Sequence, residues 1–460
     1  MMLRTHLEPR GFVLVAVLVV IFLVSMVAAS LLFRMKASDT ASAASIGAEQ
    51  AWAAAMSGVQ EAFRIAGRNT SSPLEWYDNP QVFRDRLVFD DGSDRWYFTV
   101  FSPGDSETLR DLRYGLVDEA SKLNVNAAHT TDLIKLPRLE PAMIQALRDF
   151  VDGDNIPRPE GAEQEHYDTL PHRYAVRNGS LSTVDELLLV RGFTPSLLYG
   201  EDLNMNYRLD PNEDDGDTSF PPDNGDGRLD LGLRRYFTTS SYDLNEDSEG
   251  VARTNVNDPK DGFPSSELPA AITNFVALLR ANNLKVNTIA ELLEASYKIK
   301  PPGGAEQEIK SGIGKAELPA LLDHFTTTRQ HRIDGLINLN TASAEVLATV
   351  PEIDGPLAEA IVSARKSISP ERKNTIAWLF QEDLVDAAKF KLIASHLTAR
   401  SSQYSFHVAG FGLPSGRFRV LDVIIDLGSG KPVVSYLRDI TRLGIPFRLD
   451  EVAAKEATGG

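Results

Sequence analysis

Three features of the chain predict an α+β protein, with a long N-terminal helix, β-rich tracts early and late, and a large, mainly helical middle. Residues 12–33 are apolar without a single charge. Short strand-like runs occur early, at 96–101 and 112–117, and late, at 404–409, 417–425 and 433–438. Between the two groups stands an internal repeat of helical spacing.

At about 1.5 Å per residue, the apolar run is long enough to cross the ~30 Å hydrocarbon layer of a bilayer as a helix. Secretory signal peptides usually carry a shorter apolar stretch of about 7 to 15 residues, with the cut after it. Helical spacing continues past Ala37 through Ala41, Ala44, Ile46, Ala48, Ala51, Trp52, Ala55, Val59, Ala62 and Phe63. Ser72-Pro73 and Asn79-Pro80 then break the pattern.

With 460 residues, 43% of them hydrophobic, the chain has room for two or three domains. It contains no cysteine, which excludes disulfides and thiolate metal sites. A net charge of −17 argues against broad nucleic-acid affinity, which depends on Lys and Arg neutralising phosphates.

The repeat aligns residues 123–147 with 337–361 without gaps. It matches Asn124 with Asn338, Asn126 with Asn340, Ala128 with Ala342, Leu133 with Leu347, Pro137 with Pro351, and Ala146 with Ala360. Each copy reads as an extended Asn-x-Asn lead, a short helix, a proline-marked turn and a second helix, which is a helix-hairpin-helix at about 123–152 and 337–366. Residues 187–199 read as a degenerate third copy, starting from Ser182 and Asp185 in capping-box spacing. Such units often bind DNA through hairpin amides near a helix N-terminus. Here the first hairpin lacks glycine and carries Glu140, and the second carries Glu352 and Asp354, so protein packing is the favoured role.

Residues 201–230 hold ten acids against two arginines. Asp202, Asn204, Asn206, Arg208 (through its carbonyl), Asp210 and Glu213 follow the twelve-residue spacing of a calcium loop, with Tyr207 where the pattern wants glycine for a sharp turn. A second fragment repeats part of it with Asp223, Asn224, Asp226, Arg228 and Asp230, and here Gly227 is present. Oxygen donors without His or Cys favour calcium over zinc or copper. The chain's eight histidines are scattered, and no His-Glu-x-x-His, phosphate loop or Gly-x-Ser-x-Gly elbow is present, so no enzymatic activity is expected.

The charged leader ending in Arg10-Gly11, joined directly to Phe12-Val13-Leu14, resembles the type IV prepilins and the pseudopilins of type II secretion over about residues 1–65. The resemblance implies that a prepilin peptidase cuts after Gly11 and methylates Phe12. Most members carry Glu at the fifth mature position, where this chain has Ala16. A carboxylate in the apolar layer costs about 2.5 to 3.5 kcal/mol and needs a partner, so its loss suits the end of a filament, where one neighbour is missing. K-type minor pseudopilins share that departure and are known to bind calcium in an inserted domain.

By this resemblance the organisation is a leader at 1–11, a transmembrane segment at 12–33, and a pilin-like domain in two parts, 34–120 and 401–446. The inserted helical domain occupies 121–400, and a flexible tail 447–460. The early and late strands would form one antiparallel sheet under the long helix. The implied place is the bacterial inner membrane, single-pass, with the C-terminal domain in the periplasm. Implied partners are the I- and J-type minor pseudopilins, the major pseudopilin and the prepilin peptidase, and no nucleic acid is expected. The implied function is a non-enzymatic tip subunit that starts pseudopilus assembly for protein export. Rival readings are a competence-type DNA-binding protein, which the run Ile337-Asn-Leu-Asn-Thr-Ala resembles, or a tip subunit of a type IV pilus.

Overall fold

The computed structural model describes residues 10–67, 75–104, 112–265, 267–299, 306–428, 431–449 and 452. The leader at 1–9 lies outside the described residues. Helix α1 (Arg10–Ala66) contains no proline, and its composition changes halfway along. Residues 13–46 are exposed throughout, including Val13, Phe22 and Phe33, whereas Ala51, Ala54, Ala55, Val59, Ala62 and Ile65 are buried at helical spacing. One helix therefore serves two solvents.

The buried half of α1 lies on an antiparallel sheet. Its strands are β1 (Arg86–Asp90), β2 (Arg95–Pro103), β3 (Leu112–Arg113), β4 (Val117–Asp118), β5 (Gln403–Leu413), β6 (Phe418–Asp426) and β7 (Val433–Asp439). The order is β1-β2-β5-β6-β7, with β3 on β2 and β4 on β5. Early and late strands thus share one sheet, joined where Val100 pairs with Val408 and Phe98 with Gly410. Sequence reading anticipated β2, β5, β6 and β7 but missed β1, a five-residue strand with a charged residue at each end.

Alternation sorts the strand residues onto two buried faces. Phe98, Val100, Tyr404, Phe406, Val408, Leu421, Val423 and Ile425 pack with Val59, Ala62 and Ile65 of α1. Helix and sheet approach closely because the contact residues are small. A Cβ on Gly410 would lie 2.1 Å from the Ala51 carbonyl oxygen, and one on Gly58 would lie 2.6 Å from Val408. On the opposite face, Tyr97, Phe101, Ala409, Phe411 and Val420 pack with Ile440 and Val452. Phe447 meets the rings of Phe101 and Phe411 at 5.9 and 5.8 Å. The tail expected from 447 onward is corrected at its start, because Phe447, Leu449 and Val452 cover apolar sheet surface. Residues 450, 451 and 453–460 lie outside the described residues.

Between β4 and β5 the chain builds three copies of one unit. In the first, the strand Leu123–Asn124 pairs in parallel with Phe237–Thr238; in the second, Thr254–Asn255 pairs with Phe325–Thr326; in the third, Ile337–Asn338 pairs with Leu397–Thr398. The next amide, on Val125, Val256 or Leu339, donates to the carbonyl of Thr238, Thr326 or Thr398, at 2.9 Å each time. The second asparagine then staples a distant segment. Asn126 bonds both backbone groups of Leu181, Asn257 does the same with Val286, and Asn340 donates to the carbonyls of Lys373 and Ala399.

The short helical pairs Thr130–Leu133 with Pro141–Val151, and Ala344–Leu347 with Gly355–Ala364, occupy matching places in the first and third copies. Residues 187–199 are not a third copy of that pair. They belong to the second half of the first unit, where the 3-10 turn Val184–Leu189 corresponds to Ile289–Leu292 in the middle unit. The capping box at Ser182 and Asp185 does not form either. The Ser182 amide donates to Glu186, and Asp185 pairs with Arg438 of β7 at 2.8 Å.

Candidate functional site

Two regions stand out, the exposed stem and the acidic loop. Gly11 and Phe12 fall in the first turn of α1, and their side chains lie outside the described residues. Ala16 follows on the exposed stem. Among the described residues, α1 is the helix long and apolar enough to cross a membrane. Its best window reaches a mean hydropathy of 3.0, and none of that window is buried.

The acidic loop is closed on itself. The Glu201 amide donates to the Asp230 carbonyl at 2.8 Å, and the Asp230 amide donates to Glu201 Oε2 at 2.9 Å. Within it, Asp202 takes the amides of Asn206 and Tyr207, while the carbonyl oxygens of Asn204 and Asn206 take the amides two residues on. The side chains of Asn204 and Asn206 both reach Asp210 Oδ2, at 2.9 and 2.7 Å, and Glu213 Oε2 accepts from the Asp210 amide at 3.0 Å. The structure therefore gathers Asp202, Asn204, Asn206, Asp210 and Glu213.

Tyr207 adopts φ 59°, so the sharp turn that ordinarily asks for glycine is made by a tyrosine. Its ring supplies the compensation, lying against His407 of β5 at 4.7 Å and nearly parallel. That contact seats the loop on the sheet. It was invisible from spacing.

Asp202 and Glu213 are each 2% exposed, and sequence reasoning missed Glu201 beside them, at 5%. Burial pushes the Asp202 carboxyl up to about 6, and burial together with the neighbouring acids Asp202, Asp210 and Glu201 pushes that of Glu213 up to about 7. Arg234 offsets Asp202 in part, and buried carboxylates are costly unless neutralised. The gathered donors are all oxygens, the ligand type that calcium takes.

The second fragment behaves differently. Asp223 caps the amides of Asp215, Gly216 and Gly225. Asn224 and Asp226 form local turns, Arg228 donates its amide to Asp226, and Asp230 pairs with Arg138 at 2.6 Å. These residues brace the loop rather than join the gathered donors.

The second hairpin caps its own helix, whereas Glu140 of the first makes no side-chain cap. Arg138 and Glu352 take left-handed φ of 63° and 64° at matching places of the repeat, and Asp354 accepts the Leu357 amide of its own helix at 3.0 Å. An amide a phosphate would need is already held by a carboxylate. The units instead meet the sheet: Asp118 of β4 accepts from Asn338 at 2.7 Å and Thr341 at 2.5 Å, and Tyr242 donates to Asp426 at 2.7 Å.

No curated protein matches this chain. A solved structure described as the GspK-GspI-GspJ complex from the type 2 secretion system of enterotoxigenic Escherichia coli aligns with 88% of this chain and 99% of its own, at 12% identity and a TM-score of 0.40. The family model for type II secretion system protein K, first domain, matches residues 116–199, which run from β4 through the first helical pair and its stapled segment. Over that segment the chain is similar to protein K of type II secretion systems.

Proposed function

We propose that the chain sits at the tip of a type II secretion pseudopilus, where it helps initiate assembly and supports export of folded proteins. One observation carries this reading: the first half of α1 is fully exposed and apolar while the second half is locked to the sheet. A stem of that kind is stable only in lipid or among like stems. Ala16 leaves no carboxylate in it to meet a neighbour's terminal ammonium, which favours the end position. The bulk of the repeats above the sheet supports the same place.

In this reading the peptidase cleaves after Gly11 and Phe12 is methylated. The stem then passes once through the inner membrane with the body in the periplasm, and I- and J-type minor pseudopilins and the major pseudopilin pack against it. No catalytic role is assigned. Calcium held by Asp202, Asn204, Asn206, the Arg208 carbonyl, Asp210 and Glu213 would supply positive charge that fixes the loop against the sheet through Tyr207. The acidic hairpins, the second of them self-capped, favour protein packing over DNA. Gly11→Leu is the test: unprocessed precursor and loss of secreted substrate are expected, and normal secretion with that variant would contradict the proposal.

A further inference from the structure

One carboxylate trio among the described residues brings its oxygens within 4.8 Å of one another: Asp149, Asp152 and Glu163. Asp149 and Asp152 lie at the end of the helix Pro141–Val151, and Glu163 immediately precedes the helix Gln164–Asp168. The chain between folds back so that Arg158 donates from its side chain to Asp149 at 2.8 Å and to Asp152, and from its amide to both oxygens of Asp149. Three negative charges thus face one guanidinium.

Glu163 is the unexplained member. It is 4% exposed, and neither of its carboxylate oxygens has a hydrogen-bond partner. The backbone closes tightly on the trio, since a Cβ on Gly161 would lie 1.9 Å from Asp149 Oδ2.

We infer that Asp149, Asp152 and Glu163 form a second cation site, taking a hard divalent ion of calcium size. The donors are all oxygens, and their spread suits metal–oxygen distances of about 2.3 to 2.6 Å around one ion. A divalent charge balances the trio once Arg158 is counted. The ion would tie the end of one helix to the start of the next inside the first repeat, independently of the acidic loop and of the secretion reading.

The test uses the full chain in detergent micelles, stripped with chelator, in an Asp202→Asn, Glu213→Gln background that silences the acidic loop. Equilibrium dialysis with radioactive calcium should leave one ion per chain, and that ion should raise the melting temperature. Adding Glu163→Gln should weaken binding roughly tenfold or more and remove the thermal shift. Asp152→Asn, at a less buried position, should do the same if the first variant fails to fold. Calcium binding unchanged by either folded variant, or no calcium bound in the folded background chain, would overturn the site.

Discussion

Tyr207 and His407 lie ring on ring, with centroids 4.7 Å apart and planes 25° from parallel, and the phenol oxygen stands 3.1 Å from His407 Nε2. The pair ties an acidic loop of the insertion to the central strand β5. Burial pushes the His407 ring down to about 4, so it is neutral above that pH, even with Asp422 at 3.5 Å. Tyr207→Phe keeps the stack and loses one hydrogen bond, at an expected cost of about 1 kcal/mol. Tyr207→Ala removes the ring and should cost about 3 to 5 kcal/mol in urea unfolding. Equal stability of the two variants would show that the stack does not hold the loop.

The buried acids give the calcium-free chain an inverted pH response. Asp118, Asp202 and Glu213 are raised to about 6, 6 and 7. The folded chain keeps protons that the unfolded chain has released, so this stability is fully present below about pH 4 and is lost as pH rises through 6 to 7. In chelator, melting temperature should climb from pH 7.5 to 5.5. Glu213→Gln should flatten part of that slope, on the order of 1 to 3 kcal/mol. With excess calcium the trend should weaken or reverse, because protons compete for the same oxygens. Scanning calorimetry at several pH values checks both arms.

Gly410 lets the backbone of α1 rest on β5. A methyl group there would meet the carbonyl of Ala51 and the amide of Ala55, neither of which can step aside. Gly410→Ala should therefore destabilise the sheet domain by about 1 to 3 kcal/mol or more, measured by denaturant unfolding. A neutral result would mean that helix and sheet are farther apart than described.

The three stapling asparagines should behave alike if the units are equivalent. Asn126→Ala and Asn257→Ala each strand one amide and one carbonyl, on Leu181 and Val286, and should cost about 1 to 3 kcal/mol apiece in thermal unfolding. A cost confined to one copy would argue against equivalence.

How much of this was legible follows from the physics of each signal. Helix α1 and strands β2, β5 and β6 carry long apolar periodicity, and periodicity survives without tertiary context. The middle repeat escaped because its signature is only Asn255-Val-Asn257, and the helix Ala270–Ala281 that follows does not match the paired helices of its sisters. The hydrogen-bonded cluster at 202–213 stood out in the sequence because its oxygen side chains follow a fixed spacing, whereas Asp223 and Asp230 fit the same spacing yet serve as braces. Asp149, Asp152 and Glu163 share no period. They meet only through the turn at Arg158 and Gly161, which a linear reading does not reveal.

The central proposal is that the exposed stem joins this chain to minor pseudopilins. Extraction of the processed chain from membranes, followed by affinity purification and mass spectrometry, tests it most directly. Co-elution of I- and J-type minor pseudopilins, lost when Val17 and Val24 on the exposed stem are both changed to Asp, is the expected result. A folded, processed chain that elutes alone would contradict the account.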